Sequence, residues 1–117
     1  MKTVLIAEDN DDLRTIFYKA FDKTIFDVRT AIDGEDAIAK IDQLLPDIII
    51  LDVDMPKISG FEVLRYLQNA DLHPAVILVT GNTIAADSPE AENADLVLVK
   101  PVSIRELITF VKRFTNN

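Results

Sequence analysis

A short apolar run that ends on an acid, Ile48–Asp52 (IIILD), constrains the fold more than any other stretch of the chain. Runs this short and this rich in β-branched residues are typical of strands buried in a sheet. An ionised carboxylate is costly to bury, so we expect Asp52 at the point where the strand leaves the core. In open parallel α/β sheets, ligands bind at the edge formed by the carboxyl ends of the strands. The run therefore predicts a central strand that ends at a ligand site.

Strand and helix patterns alternate along the whole chain. Strand patterns cover residues 3–7, 26–31, 47–52, 75–80 and 96–99, of which the second is predicted to be shorter and nearer an edge. Helical patterns cover residues 10–22, 33–44, 59–72 and 103–114. The segment 81–95 is the least regular, and in it Ser88 and Pro89 fit the N-cap and the first residue of a short helix. This alternation predicts a parallel sheet with helices on both faces.

Local signals also predict how the helices begin and which side chains they bury. Residues 59–62 and 103–106 each begin with serine and end with glutamate, which fits the capping box that starts a helix. Helical spacing places Leu44, Phe61 and Phe114 among the inward-facing side chains of their helices.

Composition limits the class of protein. The 117 residues suffice for one domain, so we expect a single domain over residues 1–117. There is no cysteine, which excludes disulfides and thiolate metal sites. The net charge of −8 and the lack of a basic stripe argue against direct binding to nucleic acid. No apolar run reaches the roughly 20 residues that span a bilayer, so we expect no membrane partner and a cytoplasmic location.

Polar side chains end the predicted central strands. The first strand leads into Glu8 and Asp9, the third ends at Asp52, the fourth at Thr80, and the fifth leads into Lys100. Each residue alone has an ordinary structural explanation, such as a helix cap, a turn or a solvated lysine. Because all these strand ends share one edge of a parallel sheet, their coincidence favours a shallow functional cleft.

The residue types in this cleft point to phosphoryl chemistry. Carboxylates packed closely together resist joint ionisation, and a divalent cation relieves their repulsion. Mg²⁺ prefers oxygen ligands, typically one or two carboxylates with waters and a phosphate. An aspartate such as Asp52 can then attack a phosphoryl group to form an acyl phosphate, while Lys100 and the hydroxyl of Thr80 offset its charge.

The chain resembles the receiver domains of two-component response regulators over essentially its whole length. The motifs that carry the resemblance are Glu8-Asp9, residues 49–56 (IILDVDMP) with Gly60, Thr80-Gly81 and Lys100-Pro101. The resemblance implies a flavodoxin-like, doubly wound, five-stranded parallel sheet in the order 2-1-3-4-5. It also implies five helices, of which we expect the fourth to be short or irregular.

The resemblance further implies the role of each site residue. Asp52 would accept a phosphoryl group from the phosphohistidine of a sensor histidine kinase or a phosphotransfer protein. Glu8, Asp9, Asp52 and the backbone carbonyl of Asp54 would hold Mg²⁺. The domain would be a signalling phosphoacceptor rather than an enzyme, catalysing only its own phosphotransfer and dephosphorylation.

Three further positions concern the relay of the signal. Lys100 would contact the phosphoryl group, with a cis bond to Pro101, and Thr80 would move toward a phosphoryl oxygen. Side chains at Asp54 and Asn82 would tune how long the phosphoryl group persists. We expect phosphorylation to change the surface that binds a downstream protein of unknown identity, in a monomer or weak dimer.

Two features depart from the family pattern. Val97 stands where family members usually carry Tyr or Phe, and a valine cannot make the ring rotation that accompanies the threonine movement. The segment 81–99 is slightly short, is interrupted by Pro89 and contains acids but no Lys or Arg. These departures motivate one alternative, a receiver-like interaction module that works without phosphorylation.

A second alternative is an enzyme. Asp52-Val53-Asp54 resembles the Asp-x-Asp nucleophile of haloacid-dehalogenase-type phosphatases, in which the second aspartate is an acid/base. That motif normally lies on the first strand of a longer chain, and the alternative leaves Glu8 and Asp9 unexplained. The sequence also does not decide whether the chain is a stand-alone regulator or part of a longer one.

Overall fold

The computed structural model describes residues 1–116 and forms one five-stranded parallel sheet. The strands are β1 (Lys2–Ala7), β2 (Phe26–Ala31), β3 (Ile48–Asp52), β4 (Ala75–Thr80) and β5 (Leu96–Val99), in the order β2-β1-β3-β4-β5. This is the predicted flavodoxin-like order. The second strand lies at an edge as predicted, but it is as long as the first, six residues each, so the prediction of a shorter strand is wrong.

Four helices of ten or more residues connect the strands. They are α1 (Asp11–Ala20), α2 (Gly34–Gln43), α3 (Gly60–Asn69) and α5 (Ile104–Thr115). Between α3 and α5 the chain forms only a four-residue helix, α4 (Thr83–Ala86), and a 3₁₀ turn (Pro89–Asn93). The fourth helix is therefore short, as predicted. None of the helices in residues 1–116 is long and apolar enough to cross a membrane.

The sheet separates two apolar cores. Alternate residues of the central strands point to opposite faces, as the period of a strand requires. Ile49, Leu51 and their neighbours pack with α2 and α3, whereas Ile48, Ile50 and their neighbours pack with α1 and α5. All five residues of β3 are buried, which explains why its sequence is continuously apolar up to Asp52.

Two helices end earlier than their apolar patterns predict. Phe21 was expected inside α1, but its backbone is extended at the C-cap and its ring packs edge-to-face on Phe26, with centroids 5.7 Å apart. Leu44 was expected on the buried side of α2, but it is the C-cap and 43% exposed. In both cases the apolar residue continues the helical spacing while the backbone has already left the helix.

The inward faces of α3 and α5 also differ in part from prediction. Leu64 and Leu67 are buried in α3, but Phe61 is only half-buried. Phe114 is 37% exposed because Thr115, whose hydroxyl donates to the carbonyl of Val111 at 2.7 Å, occupies the buried position in the last turn of α5. Periodicity alone did not predict that a threonine with its hydroxyl satisfied would be buried there.

The two predicted capping boxes, at the starts of α3 and α5, are only half formed. Ser59 and Ser103 cap α3 and α5 by accepting the backbone N–H of the residue three positions later, at 3.3 and 3.2 Å. The glutamate half of each capping box is not formed among these described residues. Ser88 lies at the N-cap of the 3₁₀ turn without a side-chain cap bond, and its hydroxyl donates to the carbonyl of Ala85 at 2.6 Å.

Gly60 brings the start of α3 against the end of β3. A Cβ atom on Gly60 would lie 2.4 Å from the carbonyl oxygen of Asp52 and 2.8 Å from Cα of Val53. Both are backbone atoms, which cannot rotate away as a side chain could. A Cβ on Gly81, in contrast, would have no heavy atom within 4 Å. The contact at Gly60 therefore fixes how closely α3 approaches the strand that ends at Asp52.

We predict that Gly60→Ala destabilises the domain and that Gly81→Ala does not. The overpacked variant should lose about 1–3 kcal/mol of free energy of unfolding, the usual cost of forcing extra methyl groups into a packed region. Urea denaturation of both variants and of the unchanged chain measures the difference. Equal stability of the two variants would show that the backbone at residues 52 and 53 moves freely, contrary to this prediction.

Candidate functional site

The carboxyl ends of the strands meet at one edge of the sheet, and backbone hydrogen bonds extend each pairing past the last strand residue. The amide of Glu8 donates to the carbonyl of Ala31 at 3.1 Å, and the amide of Lys100 donates to the carbonyl of Thr80 at 2.8 Å. The amide of Val53 donates to the carbonyl of Val79 at 2.9 Å. The first residues after these strands are therefore still hydrogen-bonded to the neighbouring strand.

Three carboxylates come together at this edge. Glu8, Asp9 and Asp52 each place an oxygen within 4.8 Å of the other two. Asp9 is exposed, but Glu8 and Asp52 are 1% and 2% exposed. We expected Asp52 to mark the exit of its strand from the core, but it remains inside. It can be buried because Lys100 and the amide of Asp54 supply partners for its carboxylate, at 3.5 and 3.2 Å.

Lys100 is the cation of this cluster. Its ammonium nitrogen lies 3.2 Å from Oε1 of Glu8 and 3.5 Å from Oδ2 of Asp52. Partial burial opposes the charge on Lys100, but the carboxylates of Asp52 and Glu8 outweigh it and raise the pKa of the ammonium. Lys100 therefore stays protonated. The peptide bond between Lys100 and Pro101 is cis, as the resemblance implies.

One ammonium does not balance the charge on these acids. Burial, together with the neighbouring Glu8 carboxylate, raises the pKa of Asp52 to about 7, and the nearby Lys100 offsets this only in part. Oε1 of Glu8 is buried without a hydrogen-bond donor, since its contact with Lys100 is an ion pair that lacks hydrogen-bond geometry. The cluster therefore has both excess negative charge and a buried oxygen with no hydrogen bond.

These two properties fit a divalent cation. Carboxylate oxygens are the ligands that Mg²⁺ prefers, and one or two of them are usual for its sites. The oxygens of Glu8, Asp9 and Asp52 are close enough together to share one ion. A cation there would offset the charge that Lys100 leaves, and would give the Glu8 oxygen a partner.

Sequence reasoning missed a residue that orients Glu8. Nη1 of Arg14 donates to the backbone carbonyl of Glu8 at 2.9 Å, and its other terminal nitrogen contacts Asp11 at 2.5 Å. The amide of Asn10 donates to Oε2 of Glu8 at 3.1 Å. The spacing of Asp11 and Arg14 on a helix signals an ion pair, but nothing in it indicates that the arginine also reaches the end of β1.

Thr80 and the two candidate tuning residues form a connected group. Thr80 is fully buried, and its hydroxyl donates to Oδ2 of Asp54 at 3.2 Å. The hydroxyl oxygen of Thr80 also accepts the backbone N–H of Asn82 at 3.0 Å. Oδ1 of Asn82 in turn accepts the N–H groups of Ile84 and Ala85, at 2.9 and 3.3 Å, and so caps α4. The structure thus brings Thr80, Asp54 and Asn82 together.

Val97 contributes no hydrogen bond to this group. It pairs with Leu78 across β4 and β5, is half-buried, and packs on the core shared with α2 and α3. Its aliphatic side chain carries no hydrogen-bonding group. Ile84, in α4, is 82% exposed, and the acids of residues 81–95 all follow it in the sequence. Within residues 1–116, the ion-pair partner of His73, which lies before β4, is the exposed Asp71.

The fold and the site together define a flavodoxin-like α/β domain with an acidic cluster and a lysine at the strand ends. The model of the response regulator receiver domain family matches residues 4–112. The chain belongs to this family, whose members are two-component signalling domains that are phosphorylated and bind Mg²⁺ at an acidic pocket rather than acting as conventional enzymes. This membership confirms the predicted resemblance and leaves no support for the phosphatase alternative.

Individual relatives agree with this assignment. The chain is 33% identical to the alkaline phosphatase synthesis transcriptional regulatory protein PhoP of Bacillus subtilis, over 95% of this chain and 47% of that protein. It is 27% identical to the response regulator receiver protein CpdR of Brucella abortus, over 97% of this chain and 96% of that protein. The chain spans about half the length of several curated relatives that it matches, PhoP among them.

Solved structures match as well. The response regulator protein TrrA of Thermotoga maritima, in complex with Mg²⁺ and BeF, superposes with a TM-score of 0.88 at 29% identity. The match covers 97% of this chain and 99% of that one.

We predict that Asp52→Asn stabilises the metal-free domain at alkaline pH. The pKa of Asp52 in the folded state is raised from its usual value of 3.8 to about 7. Protonation of Asp52 therefore stabilises the folded state, and this contribution is complete below pH 3.8. This stability is lost as the pH rises through about 7, by on the order of 2–4 kcal/mol. The neutral amide avoids this loss. Urea denaturation in EDTA from pH 4 to pH 8 should therefore show a growing advantage for the variant.

A control separates this effect from general charge reduction. Glu92 is exposed in the 3₁₀ turn, and Glu92→Gln removes one negative charge without touching the acidic cluster. It should change stability by less than about 0.5 kcal/mol at every pH. If Asp52→Asn gave the same small, pH-independent change, the burial cost assigned to the Asp52 carboxylate would be wrong.

Proposed function

We propose that this domain accepts a phosphoryl group on Asp52 and thereby changes its partner-binding surface. The observation that carries the proposal is the grouping of Glu8, Asp9 and Asp52 with the ammonium of Lys100 at the strand ends. Family membership supports the reaction class, because homologous response regulators receive phosphate from histidine kinases. The proposed donor is the phosphohistidine of a sensor histidine kinase or of a phosphotransfer protein.

The proposed reaction is a transfer between two side chains. An oxygen of ionised Asp52 attacks phosphorus, the bond between phosphorus and the donor imidazole nitrogen breaks, and the imidazole leaves with the electron pair. The product is an acyl phosphate on Asp52. Hydrolysis by water returns the carboxylate and releases inorganic phosphate.

The side chains around Asp52 are proposed to act on charge and position. Lys100, which contacts Oδ2 of Asp52, would pair with a phosphoryl oxygen as negative charge accumulates there. Glu8, Asp9, Asp52 and the backbone carbonyl of Asp54 would hold Mg²⁺, which supplies positive charge beside the transferring group when bound. Thr80 would donate its hydroxyl to another phosphoryl oxygen.

We predict that a small phosphodonor such as acetyl phosphate, with Mg²⁺, adds one phosphoryl group to the chain. Asp52→Asn should abolish the modification because the amide is a far weaker nucleophile, and EDTA should abolish it in the unchanged chain. Intact-protein mass spectrometry measures the addition. Asp12→Asn, which alters an exposed acid in the first turn of α1, should remain a full acceptor. A stable phosphoryl group on another residue would rule out the assignment.

A second candidate is an interaction module that works without phosphorylation. The observation that favours it is Val97, a packed aliphatic side chain that cannot report on Thr80 through ring rotation. The two candidates differ in whether occupancy of the site reaches residues 81–99. An experiment that reports on residues 81–99 therefore distinguishes the two candidate functions.

We expect beryllofluoride with Mg²⁺, a mimic of the phosphoryl group, to shift amide NMR signals through residues 81–99 as well as around Asp52. The expected route is the hydrogen bond between Thr80 and the amide of Asn82, which caps α4. Shifts confined to the residues around the acidic cluster would favour the second candidate. Partner binding that is the same for Asp52→Asn and the unchanged chain would support it further.

A further inference from the structure

The proton of the Thr80 hydroxyl already has an acceptor before any ligand binds. It donates to Oδ2 of Asp54, and its oxygen accepts the amide of Asn82. A hydroxyl has one proton, so it can donate to only one strong acceptor at a time. A phosphoryl oxygen on Asp52 and the carboxylate of Asp54 are therefore competing acceptors for the same proton.

We propose that the side chain of Asp54 is a positioning residue that holds the Thr80 hydroxyl in its resting place and so opposes its transfer to a group bound on Asp52. This inference rests on the proposed function. It differs from the Mg²⁺ role of Asp54, because that role uses the backbone carbonyl and this one uses the carboxylate.

Asp54 is positioned to contact the acidic cluster through its backbone and Thr80 through its side chain. Its amide donates to Oδ1 of Asp52 at 3.2 Å, which fixes the loop after β3 against the acidic cluster. Its carboxylate is exposed at the surface and meets the buried hydroxyl of Thr80 from the solvent side. A substitution of the side chain therefore removes the acceptor while leaving the backbone amide and carbonyl in place.

The Thr80 hydroxyl also contacts the start of α4. The Thr80 O–H donates to Asp54, and its oxygen also accepts the amide N–H of Asn82, whose side chain caps α4 through Ile84 and Ala85. A shift of the Thr80 oxygen toward Asp52 would lengthen the bond from Asn82 and disturb that cap. Because Val97 has no ring to rotate, this chain of hydrogen bonds is the proposed connection from the site to residues 81–95.

The expected effect follows from the geometry of the bond. Hydrogen bonds to charged groups are among the stronger ones, but 3.2 Å is long for a hydroxyl donor. Removing the competing acceptor should therefore tighten binding of beryllofluoride by about threefold to tenfold. Asp54→Asn keeps an oxygen acceptor without the charge, so its effect should lie between those of Asp54→Ala and the unchanged chain.

A double-mutant cycle tests the inference. Calorimetric titration with beryllofluoride at saturating Mg²⁺ gives the affinity of the unchanged chain, Asp54→Ala, Thr80→Val and the double variant. Asp54→Ala should tighten binding about threefold to tenfold more when the Thr80 hydroxyl is present than in the Thr80→Val background. Titration with Mg²⁺ alone measures how removal of the Asp54 charge changes cation binding, and that change should be equal in both backgrounds.

A spectroscopic readout checks the resting state. In the absence of ligand, Asp54→Ala should shift the amide signal of Asn82, whereas Glu92→Gln should not. Thr80→Ser keeps the hydroxyl and should retain the dependence on Asp54, which guards against a folding defect in Thr80→Val. An equal gain in affinity from Asp54→Ala in both threonine backgrounds would overturn the inference and leave only an effect of charge. Failure of the unchanged chain to bind beryllofluoride would instead overturn the proposed function, and this inference with it.

Discussion

Crowding of acids at the ends of the strands is the constraint on which the site depends. Parallel pairing of β1 with β3 brings Glu8, Asp9 and Asp52 to one edge, and the pairings of β3 with β4 and β4 with β5 place Lys100 at the same edge. The lysine offsets part of the repulsion, which allows two of the acids to be almost fully buried. The remaining negative charge keeps the pKa of Asp52 raised. The site is therefore stable enough to fold and still unbalanced enough to favour a cation.

This excess of negative charge also explains why several hydrogen bonds hold Glu8 and Asp52 in place. Arg14 and the amide of Asn10 orient Glu8, while the amide of Asp54 orients Asp52. The close contact of Gly60 with the end of β3 sets the position of the loop that carries Asp54. Each of these contacts restrains a group that would otherwise move away from its neighbours, because like charges repel most strongly where water is excluded.

The sequence predicted the parts of this arrangement that depend on local pattern. Strand period, the order of elements and the polar residues that follow the strands are all local, so Asp52, Thr80 and Lys100 were placed at one edge correctly. Local pattern failed where tertiary contacts decide the outcome. Phe21 and Leu44 continue a helical spacing although the backbone has turned, and nothing near Asp52 in the sequence indicates how deeply Lys100 allows it to be buried.

The hydrogen bond between Asp54 and Thr80 could not be predicted for the same reason, and it changes how the absence of an aromatic residue at position 97 is interpreted. From the sequence, Val97 suggested that a coupling element had been lost. In the structure, the hydroxyl of Thr80 is tied to an exposed acid on one side and to the cap of α4 on the other. A ring would couple the threonine to β5 by filling space, whereas this arrangement couples it to α4 through competition for a single proton. Such a coupling needs no bulky residue at position 97, and α4, which has only four residues and no buried ones, opposes the movement with little packing energy.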